Sequence, residues 1–458
     1  NLGRNKSKTL ISVLSMSLAI VVLEMTHVFT GGFDMDKYLR DVAQDFLLAE
    51  ASYFQVSQKW MNKEGGKEAA VSEETIARIE QQQGVTGGRA YGTVSDVEEL
   101  VTEKRARDAY SSWRKGGLSG EELDFMVDDI LEHVGDRRAM ETRLYGMEDF
   151  LIDKLEVIDG DLGKLKEGGN YVAAVYDTDD YHNLYEDWHW AKVGDQVTLR
   201  YVDTYEYYNP QTGEVYPENA SLGNLLWAQR AKEYREETYE VVATVLVPNT
   251  LTYRFYGDDE FVMNADTFKE HTGTDAVLYY AFDCADEQTG MMEQYLKEYT
   301  EGEGSFYDYE SRMTRAQEFY ELKNMFLFVG TAVSLVVGLI GVLNFLNAIL
   351  TGILTRRKEF AVLQSVGMTG KQLNIMLITE GVFFAGGAVM VTLATVVVLG
   401  PVIGQALEGM FWFFTYRVNI VPILAVAPFF LLLGMLIPLI SYCYVAKRSV
   451  VERLREAE

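Results

Sequence analysis

The sequence predicts a membrane α-helical protein with four transmembrane helices and a large extracytoplasmic α+β domain inserted between the first and second of them. Three observations predict it. Four segments, residues 10–29, 325–354, 373–399 and 421–444, are apolar over the roughly 20 residues that a helix needs to cross hydrocarbon. The charges are segregated: residues 31–322 hold 61 Asp and Glu against 28 Lys and Arg, a net of −33, whereas the remaining residues hold 7 acids against 13 bases. Of those 13 bases, 11 fall in three short segments that the spans place on one side, at Arg4, Lys6 and Lys8, at Arg356, Arg357, Lys358 and Lys371, and at Lys447, Arg448, Arg453 and Arg455; only Lys323 and Arg417 fall on the other. Cations gather on the cytoplasmic side, so both termini and the 356–372 loop are expected inside a cell membrane and residues 31–322 outside it. The whole-chain net charge of −27 averages over these two unlike parts.

Residues 1–30 are read as a basic stretch, Asn5-Lys6-Ser7-Lys8-Thr9, and the first span. No small-residue cleavage site follows it, and Thr30-Gly31-Gly32 leads straight into an amphipathic stretch, which argues for a retained helix rather than a secretory signal. Asn1 is not an initiator Met, so sequence before it is expected. In the external domain, residues 31–322, the apolar spacing of Leu39, Val42, Phe46 and Leu47 predicts a helical stalk over 34–48, and 312–321 continues without Gly or Pro into the second span. Ser72 caps a helix with Glu73 and Glu74 in its first turn. Residues 97–142 read as a charged, helical insert. Strands are predicted at 171–176, 196–202, 239–247, 260–264 and 277–283 from β-branched and aromatic runs between turn residues. Tyr201, Tyr205, Tyr207 and Tyr208 mark an aromatic hairpin whose rings pack across the strands. The two cysteines, Cys284 and Cys443, lie on different parts of the chain, so the external domain holds no internal disulfide.

The rest divides into the second helix (323–355), a cytoplasmic segment (356–372), the third helix (373–400), an external loop (401–420) with an aromatic anchor at 408–417, the fourth helix (421–446) and a tail (447–458). Gly338, Gly341, Gly386 and Gly387 permit close helix packing, and Pro422, Pro428 and Pro438 permit bending of the fourth helix. Glu24 and His27 are expected at the outer headgroup level.

No phosphate loop occurs, since Gly370-Lys371-Gln372 lacks both the earlier Gly and the hydroxyl; nor does H-E-x-x-H, G-x-S-x-G or a paired C-x-x-C. The chain therefore presents no catalytic motif and no cofactor site of its own, and no nucleic-acid partner is expected. The acidic segment 177–190, with His182 and His189, is the one weak metal candidate; a solvated surface is the commoner fate of such a loop.

Between the second and third spans lies Arg356-Arg357-Lys358-Glu359-Phe360-Ala361-Val362-Leu363-Gln364-Ser365-Val366-Gly367-Met368. A helical wheel places Phe360, Val362, Leu363 and Val366 on one arc, predicted to bury against the bundle, and Ala361, Gln364 and Ser365 opposite, predicted free for a partner. The segment resembles the coupling helix of the FtsX-like and MacB-like permeases, with a Lys358-Glu359 pair at its start, a stop at Val366-Gly367-Met368, and Glu380 in the next span where that family often has an acid. Lys192-Val193-Gly194-Asp195-Gln196-Val197-Thr198-Leu199, with residues 239–245, resembles a strand pair of the MacB-like external domain. A helical, tyrosine-rich part of the external domain departs from that pattern.

The resemblance implies a permease subunit of an ABC transporter. ATP would be hydrolysed on a separate cytoplasmic ABC ATPase, with Lys358, Glu359, Ala361, Gln364, Ser365 and Gly367 at the coupling surface. It implies pairing with a second permease half or a homodimer partner in membrane lipid, and movement passed to the external domain for export or extraction of a peptide, lipid or lipoprotein. The alternative is a regulatory membrane protein that activates a cell-wall hydrolase or senses antimicrobial peptides. An ectoenzyme ranks third.

Overall fold

The computed structural model describes residues 6–54, 62–112, 116–185, 189–217, 220–252 and 259–445. Arg4, the tail bases Lys447, Arg448, Arg453 and Arg455, and the acidic-loop residues 186–188 lie outside the described residues. The chain divides into two compact units, residues 1–38 with 317–458, and residues 39–316. Together they are four membrane-spanning helices and a large mixed α+β extracytoplasmic domain.

The extracytoplasmic unit is built on one sheet of the strands β1 (Phe46–Glu50), β2 (Thr86–Thr93), β3 (Val97–Thr102), β4 (His133–Val134), β5 (Arg137–Met147), β6 (Glu156–Gly160), β7 (Tyr171–Val175), β8 (Gln196–Tyr208), β9 (Ala228–Leu246), β10 (Asp259–Asn264), β11 (Tyr279–Asp283) and β12 (Tyr307–Ser311). The order β10-β7-β9-β8-β3-β5-β2-β11-β1-β12 carries an additional parallel pairing of β10 with β5, which closes the first six strands into a ring and leaves β12 as an edge. Helices cover it: α2 (Glu73–Glu80), whose Ser72 cap oxygen accepts the Thr75 N–H at 3.2 Å, α3 (Glu103–Ser111), α4 (Ala265–Thr272) and α5 (Thr289–Glu301). The Lys192–Leu199 segment forms the turn and strand that the sequence predicts. Asp195 accepts the Lys192 N–H, Gly194 takes φ +92°, and β8 pairs antiparallel with β9 from Gln196 opposite Glu240. The hairpin tyrosines pack within the unit: Tyr201 hydrogen-bonds Tyr239, Tyr205 donates to the Ser95 carbonyl, and Tyr207 meets Trp227 edge-on.

Two expectations fail here. Residues 34–48 are not a helical stalk: only Met35–Tyr38 is helical, and Phe46, Leu47, Leu48 and Ala49, all fully buried, form β1 between β11 and β12. A strand buried on both faces is a continuous apolar run, and four such residues satisfy a helical wheel equally well. Residues 97–142 are not a helical insert either, because β3 and β5 at its ends are interior strands of the sheet. Their identity is masked by charge: Glu98, Glu99, Arg138 and Arg143 are all buried. Arg200, fully buried on β8, donates to both Glu98 and Glu132 and lies 5.0 Å over the Tyr234 ring, so charge that sequence reading assigns to solvent is paired inside.

Burial pushes the carboxyls of Asp45, Asp96 and Glu98 above the ordinary carboxylate range. A carboxyl that holds its proton more tightly folded than unfolded adds stability that is full below its unfolded value, about 4, and is lost as pH rises through the folded one. The unit also carries 57 acids against 27 bases, whose repulsion grows over the same range. Tryptophan-monitored melting of the full chain is therefore expected to give a higher melting temperature at about pH 4.5, close to the unfolded carboxyl value, than at about pH 8; an equal or lower one would contradict this account.

The membrane unit consists of α1 (Lys6–Gly31), α6 (Arg312–Thr355), the short α7 (Arg357–Ser365), α8 (Gly370–Glu408) and α9 (Val421–Val445). With 44 and 39 residues, α6 and α8 rise about 66 and 58 Å, well beyond a hydrocarbon core of about 30 Å. Their shared core includes Met16, Ile20, Phe345, Ile349, Leu373, Leu377 and Phe384.

Candidate functional site

The 356–370 segment begins where α6 stops. Arg356 sits at the break with φ −99° and ψ 12°, and its side chain turns back toward α8, where Nη1 lies 2.9 and 3.1 Å from the two carboxylate oxygens of Glu380. The same guanidinium lies 5.0 Å over the Phe360 ring and 3.7 Å from Glu359. Downstream, Gly367 takes φ +108°, which only glycine adopts without strain, and Thr369 and Gln372 form a capping box that starts α8. A short helix is thus fixed at both ends.

Its faces are not those the wheel predicts. Phe360 (3% exposed), which joins the bundle core of Leu373 and Leu377, and Ala361 (0%) are its buried residues. Val362 (52%), Leu363 (42%) and Val366 (84%) are exposed. Ala361 is therefore not on a free surface, and Gln364 is half-buried with its carbonyl oxygen enclosed and unpartnered; Lys358, Ser365 and Gly367 are exposed, and Glu359 turns toward Arg356. The prediction fails because it groups Phe360 with the other large apolar residues: at 100° per residue Phe360, Gln364 and Ala361 share one arc, and Val362, Val366 and Leu363 share another, about 200–300° around the helix.

The bundle that receives α7 is held by contacts at backbone distance. A Cβ on Gly381 of α8 would lie 2.1 Å from the Gly434 carbonyl oxygen of α9, and one on Gly434 would lie 2.8 Å from the Gly381 oxygen. These two glycines form the α8–α9 crossing. Of the glycines that the sequence suggested for close packing, Gly341 meets the Ser15 carbonyl of α1, but Gly338 and Gly386 have nothing within 4 Å and Gly387 only touches Val13. Thr392 bonds the Ser17 carbonyl, which ties α8 to α1. Helix α9 continues through Pro428 and Pro438.

At the outer end, residues 408–417 join an aromatic cluster with α1 and α6. Phe414 is buried with Phe33 and Phe319, and Phe33 and Phe414 form an antiparallel bridge. Asp34 accepts the Thr415 hydroxyl at 3.0 Å, and a Cβ on Gly32 would lie 2.2 Å from the Phe414 ring. Glu24, seven residues before Gly31 on α1, is fully buried, with neither oxygen in a hydrogen bond of ordinary geometry. Neither clamp nor acid has a sequence signature beyond residue type.

The weak metal candidates do not converge. His182 lies 3.1 Å from Glu156, whereas His189 stacks on Tyr176 at 4.4 Å. Among the described residues no three His, Cys, Asp or Glu side chains gather in a metal-binding arrangement.

Residues 331–450 match the family model of the FtsX-like permease C-terminal region, a stretch that brackets α7. No curated protein matches the chain. Among solved structures, the periplasmic region of MacB from Actinobacillus actinomycetemcomitans aligns at 8% identity over 62% of this chain and 95% of its own, with a TM-score of 0.31. The extracellular domain of the noncanonic ABC-type transporter YknZ from Gram-positive bacteria aligns at 12% over 58% of this chain and 99% of its own, with a TM-score of 0.27.

Proposed function

We propose that this chain is the permease subunit of an ABC transporter of the FtsX-like and MacB-like type, with α7 as the seat of a separate cytoplasmic ATPase. The observation that carries the reading is the exposed apolar face of Val362, Leu363 and Val366, on a helix anchored by Phe360, Ala361 and Arg356 inside the region that matches the permease model. An apolar helix face laid in a groove is a common docking mode, and Lys358, Ser365 and Gly367 form its exposed polar rim. ATP binds the partner, not this chain. Both termini and α7 lie in the cytoplasm of a cell-membrane protein, the chain pairs with a second permease half or a copy of itself, and movement of the bundle is used outside on a peptide, lipid or lipoprotein.

Sidedness tests this directly. With Cys284 and Cys443 replaced by Ala, a membrane-impermeant thiol reagent on intact cells is expected to label cysteines introduced at Asn183 and Gln405 but not at Thr369. Labelling at Thr369 with protection of the other two would overturn the topology and, with it, the ATPase seat.

A further inference from the structure

Glu380 and Gly381 are adjacent on α8, and they face two different tasks. Glu380 holds Arg356 at the α6–α7 break; Gly381 meets the Gly434 carbonyl and the Pro438 ring of α9. We infer that the Arg356–Glu380 ion pair is the positioning pair through which a displacement of α7 reaches the α8–α9 crossing, an inference that rests on the reading of α7 as an ATPase seat. The pair is less than a quarter exposed on either side chain, which protects it from the screening that makes surface ion pairs weak. Arg356 is also stacked on Phe360, the residue by which α7 joins the bundle core, so the guanidinium cannot stay behind when α7 moves. One residue further along α8, backbone meets backbone with no side chain between, a contact that cannot absorb a shift by rotamer change. A pull on α7 is therefore delivered to the point where α8 and α9 are least compliant.

The pair positions rather than binds, so its loss should separate binding from stimulation. The test uses the full chain in lipid nanodiscs with its cognate cytoplasmic ABC ATPase, measuring ATPase affinity and stimulated ATP hydrolysis independently. Glu380→Gln is expected to leave affinity within about twofold and to lower stimulation about fivefold or more, the lower bound of ordinary coupling energies. Arg356→Gln is expected to do the same, and the double variant no worse than either single, because both break one link. Arg356→Lys keeps the charge but loses the planar contact with Phe360; it is expected to fall between, and it carries the test if Glu380→Gln does not give a monodisperse protein. Undiminished stimulation in both variants would overturn the inference, as would a parallel loss of affinity and stimulation, which would make the pair a mere support for α7. A wild-type chain that neither binds nor stimulates the ATPase would overturn the proposed function itself, and the inference with it, whereas the other two outcomes leave that function standing.

Discussion

Gly381→Leu is expected to abolish most of the folded, monodisperse chain. The new side chain would begin 2.1 Å from a backbone oxygen and 2.6 Å from the Pro438 ring, neither of which can turn aside. Overpacking costs about 1–3 kcal/mol where side chains can adjust, and more where helices must separate, against a total stability of roughly 5–15 kcal/mol. Gly386→Leu, five residues along the same helix with nothing within 4 Å, is the matched control and should leave the protein intact. Size-exclusion profiles and melting curves in one detergent compare the two. Equal stability of both variants would show that α8 and α9 do not cross at Gly381 and Gly434.

The second large effect concerns the exposed face of α7. Leu363→Glu should leave insertion and folding unchanged, because the side chain is 42% exposed, while weakening ATPase association by roughly a hundredfold, about 3 kcal/mol, since a charge there must be desolvated without a partner. Ala361→Glu should instead damage folding, because Ala361 is wholly buried. Ser365→Glu, at the polar rim, should have a smaller effect than Leu363→Glu. Binding of the ATPase to nanodisc-held variants separates these outcomes, and an unchanged affinity for Leu363→Glu would remove α7 from the interface.

What could be read from the sequence follows from how many solutions each segment had. Spans such as 373–399 were legible because a run of that length and apolarity has few other fates, and the β8–β9 pairing because residues 192–199 with 239–245 resemble a strand pair of the MacB-like external domain, the Gly194-Asp195 turn marking only the start of β8. β1 was not legible: Phe46-Leu47-Leu48-Ala49 fits a helix face as well as a doubly buried strand. β3 and β5 were hidden because their buried charges are paired with residues elsewhere in the unit, Glu98 with Arg200, Arg138 with Glu103 and Arg143 with Glu260, a long-range fact that no local window carries. The location and helical character of α7 were legible, its faces were not. Val362, Leu363 and Val366 were grouped with Phe360 by their apolarity, whereas the 100° step sets them on another arc, which the structure leaves exposed. The Gly381–Gly434 contact joins residues 53 positions apart and was lost among better-advertised glycines.

The most direct test of the central claim is a photocrosslinking amino acid at Val366, the most exposed residue of the α7 apolar face. In nanodiscs with the ABC ATPase proposed as its partner, irradiation is expected to give a covalent permease–ATPase adduct that Leu363→Glu suppresses. A stable complex that yields adducts only with lipid, and none with the ATPase, would contradict the account.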